Sequence, residues 1–102
     1  MTPHDDRKTK QLCAQVRRAL SQYLSHETLD ELLQSLYIES IEPAPDAGCL
    51  AVTLSVPQDL EIERADVLAR LAEAKPALRR EVARAIHRSK TPDLNFVVVR
   101  AG

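Results

Sequence analysis

Four arginines fall within ten residues near the end of this 102-residue chain: Arg79, Arg80, Arg84 and Arg88, with Lys90 just beyond. A guanidinium is planar, always charged and more weakly hydrated than an ammonium, so it suits bidentate contact with phosphate oxygens. On a helix, Arg80, Arg84 and Arg88 recur one turn apart and form a single outward stripe. Lys75 precedes them, and a second basic set, Lys8, Lys10, Arg17 and Arg18, lies in the opening segment. The chemistry open to these ten residues is to hold an A-form RNA backbone by charge and shape. Reading bases by stacking is not expected, because Tyr23, Tyr37 and Phe96 are the only aromatics. The competing reading is a solvated helix exterior, with Arg80 or Arg84 paired to Glu81 or to acids elsewhere.

Other chemistry finds little support. His4, His26 and His87 have no nucleophile or carboxylate at a diagnostic spacing, and the two glycines, Gly48 and Gly102, cannot build a phosphate-cradling loop. Cys13 and Cys49 have neither CxxC nor zinc-ligand spacing and read as free, buried thiols of a reducing compartment. The expectation is a protein that is not an enzyme, with no catalytic residues, metal, cofactor or small-molecule substrate. The polar, acidic start from Met1 to Asp6 is unlike a signal peptide, and no apolar run approaches the ~20 residues of a membrane span. A cytoplasmic monomer without a membrane partner is expected.

Charge sharpens the choice of partner. The net charge is −1, but residues 1–75 carry 8 Lys/Arg against 13 Asp/Glu, and residues 76–102 carry 6 against 2. A basic final third points toward a polyanion on one surface.

These residues need elements to position them. Leu12, Val16, Ala19, Leu20, Tyr23 and Leu24 make one helical stripe, predicting an amphipathic helix from about Asp6 to Ser25. Thr28-Leu-Asp-Glu31 has the form of a capping box and predicts a short helix to about Gln34. Leu36 to Glu42 is strand-like, Pro43 to Gly48 is rich in turn formers, and Leu50, Val52, Leu54 and Val56 alternate with small or polar residues; together they predict an antiparallel hairpin. Asp59, Glu61, Glu63 and Asp66 mark the start of the next helix, whose apolar face holds Ala65, Leu68, Ala69 and Ala72, with Leu71 alongside. Pro76 should divide that helix from another running from Ala77 to about Arg88. Thr91-Pro92 then turns the chain into a last strand of Leu94, Phe96 and Val98. With 102 residues, 44% apolar, the chain should form one α+β domain, with helices covering one face of a three-stranded sheet in two layers.

Four stretches in this order resemble the ribosome-binding factor A family, which has a type II KH-like fold. They are Gln15-Val16-Arg17-Arg18-Ala19-Leu20; the hairpin from Ile38 to Val56; Leu71 to Glu81, ending Leu78-Arg79-Arg80-Glu81; and Lys90-Thr91-Pro92-Asp93-Leu94-Asn95-Phe96. The resemblance implies a three-stranded sheet with helices on one face and a kinked helix pair before the last strand. It also implies a bacterial factor that assists maturation of the small ribosomal subunit by binding its ribosomal RNA. Two features depart from pattern. The family's Ala-x-Gly junction reads Ala74-Lys75-Pro76 here, and the Gly-x-x-Gly clamp of KH domains at large is absent, as is usual for ribosome-binding factor A. Pro76 in place of glycine, the net charge of −1 and the acidic stretch from Glu61 to Asp66 keep a second reading open, a KH-like module that has lost RNA binding and engages protein instead.

Overall fold

Leu12, Val16, Leu20 and Leu24 recur every four residues, and all four are buried. That stripe holds helix α1, Pro3–Gln22, against the rest of the chain. The computed structural model describes residues 3–86 and 90–101, the first four of them by backbone alone. Past Gln22 the helix widens into one π-helical turn, Tyr23–Glu27, closed where the Thr28 N–H donates to the Tyr23 carbonyl at 2.9 Å.

The next helix, α2, is Glu31–Ser35, and its cap is Asp30 rather than the Thr28 of the expected capping box. The Asp30 carboxylate accepts from the N–H groups of Leu32 (2.9 Å) and Leu33 (3.4 Å). The Thr28 hydroxyl accepts from the Asp30 N–H at 3.1 Å, one step upstream. A carboxylate at the positive end of a helix is the stronger acceptor, so the start of the helix settles on the aspartate.

Strands β1 (Tyr37–Pro43) and β2 (Cys49–Val56) form the predicted antiparallel hairpin, and β3 (Asp93–Arg100) joins β2 in parallel, so β2 is central. In β1 the apolar residues Ile38 and Ile41 are three apart, which strict alternation would send to opposite faces. A bulge solves the mismatch. The register steps from Ile38↔Leu54 to Ser40↔Thr53, and the extra residue, Glu39, lets both isoleucines face the core. Leu50, Val52 and Leu54 of β2 line up with Leu94, Phe96 and Val98 of β3 on that same face. Together with the leucines and valines of the helices they form the core.

Helix α3, Arg64–Ala85, makes the long crossover that a parallel pair requires. It corrects four expectations. The face expected to be apolar is turned outward, with Ala65, Ala69 and Ala72 exposed and Leu68 half-buried, because the larger Val67 and Leu71 take the core side. The start of α3 lies several residues later than the acidic run suggested, leaving Asp59, Glu61 and Glu63 ahead of the first helical residue. It is also one helix of 22 residues, with Pro76 inside it, rather than a pair. The expected division fails for two reasons. Proline removes one hydrogen bond to the carbonyl four residues back, but Pro76 and Ala72 are both exposed, so water can satisfy that carbonyl. Buried Val67, Leu71, Leu78 and Val82 also keep one phase through the proline, so burial of the stripe holds both halves in one helix. The far end expected near Arg88 is Ala85, with Ile86 as cap; Arg88 itself lies outside the described residues.

Candidate nucleic-acid interface

The ten basic residues singled out from the sequence do not form one uniform patch. On α1 they divide by helical phase. Lys10 and Arg17, seven residues apart, share one flank, whereas Lys8 and Gln15 share the other, with Arg18 beside them. The flank of Arg17 faces the sheet. Its guanidinium donates to the Ile38 carbonyl at 2.6 Å, tying α1 to β1. The other flank faces α3. Gln15, Arg18, Ala19 and Gln22 of α1 and Glu81, Arg84 and Ala85 of α3 line one open groove of about 380 Å³.

Helix α3 divides in the same way. Lys75 and Arg79, one turn apart, lie toward the start of β3. The Lys75 ammonium pairs with the Asp93 carboxylate at 3.2 Å. The Lys75 hydrogen bond, the Leu94 N–H and the nearby Arg79 charge together hold the Asp93 carboxyl below the ordinary carboxylate range. Arg80 and Arg84 form the second line, toward α1 and solvent. Arg80 is exposed and makes no ion pair among the described residues. Arg84 pairs with Glu81 at 3.1 Å and stays two-thirds exposed. An exposed pair of this kind contributes at most about 1 kcal/mol, so the guanidinium can turn to an incoming phosphate at small cost. Lys8, Lys10 and Lys90 are exposed, and Arg88 lies outside the described residues.

The structure therefore brings Arg18 and Arg84 together from the two basic segments and turns Arg17 and Lys75 to structural contacts. It adds Gln15 and Gln22, whose amides can donate to phosphate or sugar oxygens. Their seven-residue spacing, with Arg18 between, was the available sign of a polar line. Two further arginines are structural. The Arg70 Nη1 group donates to both oxygens of the Asp30 carboxylate, at 2.8 and 2.9 Å, joining α3 to the cap of α2. Burial pushes the Asp30 carboxyl up, but the bonds from Arg70 and from the Leu32 and Leu33 N–H groups outweigh it and leave it lowered. Arg100 donates to the carbonyls of Pro57, Leu60 and Ile62 and fixes the loop between β2 and α3.

A basic groove between the first helix and the long crossover helix, over a three-stranded mixed sheet, can be compared with known proteins. Residues 8–99 match the family model of ribosome-binding factor A. The chain belongs to the ribosome-binding factor A family. Ribosome-binding factor A of Lachnoclostridium phytofermentans is 36% identical over 92 residues, covering 89% of this chain and 67% of that protein. The crystal structure of ribosome-binding factor A from Thermus thermophilus superposes with a TM-score of 0.74 at 26% identity, covering 88% of this chain and 93% of that one. A homology model of the Thermus thermophilus factor, fitted into a cryo-EM map of its 30S complex, gives a TM-score of 0.66 at 26% identity over 85% of this chain and 90% of that one. The two-layer α+β arrangement expected from the sequence is the arrangement of these family members.

Among the described residues no group of three or more His, Cys, Asp or Glu is placed to hold a metal ion. No helix among them is long and apolar enough to cross a membrane. The two cysteines are free and half-buried. Burial, with the Glu42 charge second, raises the Cys13 thiol above its ordinary value, away from the thiolate form.

Proposed function

We propose that this protein is a cytoplasmic ribosome-binding factor, acting as one domain without catalysis, that docks on immature small ribosomal subunits and helps them mature. Family membership and the likeness to a Thermus factor fitted into a 30S complex support the docking. The observation that carries the RNA part is the groove in which Arg18 and Arg84 meet. Arg80 lies one turn from Arg84 and extends the same surface, with Lys8 on the same side of α1. Lys75, Arg79 and Lys90 form a secondary flank, from which phosphate must compete with Asp93 for Lys75. The polar lining of the groove and its lack of aromatics suit a structured RNA backbone rather than splayed bases.

Salt-dependent co-sedimentation with small subunits tests this reading. The wild-type chain should pellet with them at low salt and be released as salt rises. Arg80→Ala combined with Arg84→Ala should reduce pelleting whatever subunit preparation is used. Failure of the wild-type chain to pellet, or indifference to the double change, would refute the RNA role of the groove.

A further inference from the structure

The face of the sheet turned away from the helices has no part in the groove. The register fixes its members: Tyr37, Ser55 and Val99 lie in one row across the three strands, and Ser40, Thr53 and Val97 in the next. Three of the four exposed large hydrophobic residues among those described sit here, Tyr37 at 62%, Val97 at 41% and Val99 at 37% exposure. The patch is about 10 Å wide, from strand spacings of about 4.8 Å. That is the width of one extended segment rather than of a folded domain.

The charge of this face has one sign. The β1 bulge turns Glu39 onto it, where the carboxylate accepts from the Ser55 hydroxyl at 2.7 Å. Glu42 pairs in register with Ala51 in the row beyond, on the edge strand, from where its charge also reaches Cys13 of α1. No lysine or arginine occupies any of these rows. The described cations lie on α1 and α3, at Lys90, and at Arg100, whose guanidinium is turned onto loop carbonyls. Apolar area flanked by carboxylates repels a phosphate backbone. It also disfavours a second copy of itself, which would bring a face of the same negative sign. It fits a partner that supplies apolar side chains together with Lys or Arg. Proteins embedded in RNA carry such cations, because they must neutralise phosphates.

We propose that the sheet face docks a cationic, partly apolar protein segment of the small ribosomal subunit, while the helical groove holds RNA. This rests on the function proposed above and assigns it a second surface.

The test places a benzophenone side chain at Val97 of the full chain, binds the protein to small ribosomal subunits and irradiates. The expected product is a nuclease-resistant adduct with a subunit protein. Glu42→Lys combined with Glu39→Gln, which keeps an acceptor for Ser55, should lower its yield at least fivefold while pelleting persists. Pelleting with a nuclease-sensitive adduct, with an adduct of two copies of this chain, with no adduct, or with a yield unmoved by the double change would overturn the sheet-face assignment alone. Loss of pelleting by the unmodified protein would overturn the ribosomal reading and this one with it.

Discussion

Replacing both groove arginines, Arg18→Ala with Arg84→Ala, tests whether the groove holds phosphate while other arginines serve the fold. If each side chain neutralises one phosphate, each removes about one unit from the slope of log affinity against log salt, on the duplex scale of about 0.9 per contact. The double variant should therefore bind more weakly at low salt but lose less affinity as salt is added. Between 50 and 200 mM monovalent salt the wild-type chain should lose roughly twelvefold more affinity than the variant, from two contacts at that scale. Arg17→Met is the control. It removes a guanidinium of equal charge from the same helix, but one held on the Ile38 carbonyl at 2.6 Å. Its slope should match wild type, while unfolding becomes easier by about 1–2 kcal/mol through the lost charge-assisted bond. The assay is equilibrium binding to purified small-subunit ribosomal RNA across a salt series, with denaturant unfolding in parallel. Equal slopes for wild type and the double variant, or a slope change with Arg17→Met, would refute the division of the basic residues into groove and scaffold.

Three further outcomes follow from the geometry. Glu81→Gln should strengthen RNA binding a few-fold, because it frees Arg84 from its 3.1 Å partner and removes a negative charge from the groove; titration at fixed salt checks it. Pro76→Ala should stabilise the fold by about 1–3 kcal/mol, restoring a helical N–H at an exposed interior site and removing a poor helix former, less the entropy that proline takes from the unfolded chain; a lower denaturation midpoint would show that the helix is divided there. Asp30→Asn should cost stability near neutral pH and progressively less in acid. The Asp30 carboxyl is lowered in the folded state, so its contribution is complete above the unfolded value of about 3.9 and vanishes as pH falls through the folded value. Paired unfolding curves should therefore keep a constant gap from pH 7 to about 4 and narrow below it, and a gap still unchanged at about pH 2 would refute this account of the Arg70–Asp30 link.

Much of the fold was legible because its signals are local. The stripe from Leu12 to Leu24 and the alternation from Leu50 to Val56 are periodic, and both segments turn the residues the period selects toward the core, with Ala19 and Tyr23 at its margin. Three local signals misled. The alanines Ala65, Ala69 and Ala72 have the form of an apolar face, yet they lie exposed because Val67 and Leu71 take the core side. The Thr28-x-x-Glu31 pattern has the form of a cap, yet Asp30 takes that role because its carboxylate reaches two N–H groups while bonded to Arg70, forty residues on. Pro76 has the form of a break, yet the helix continues, since the stripe on either side is buried in one phase. Neither Arg70 nor the far half of that stripe is visible within a short window.

The candidate site divides along the same line. Residue identities and spacing were enough to tell which side chains carry positive charge, that Arg80 and Arg84 share a helix face, and that the last third is basic. They could not tell which of those charges are already committed. Arg17 to Ile38, Lys75 to Asp93 and Arg100 to the loop carbonyls are contacts between segments 18 to 43 residues apart. Nor could they bring Arg18 beside Arg84, because that depends on how two helices pack over one sheet. A charge's identity is set by its own residue, but its availability is set by its neighbours in space, and those are chosen only when the chain folds.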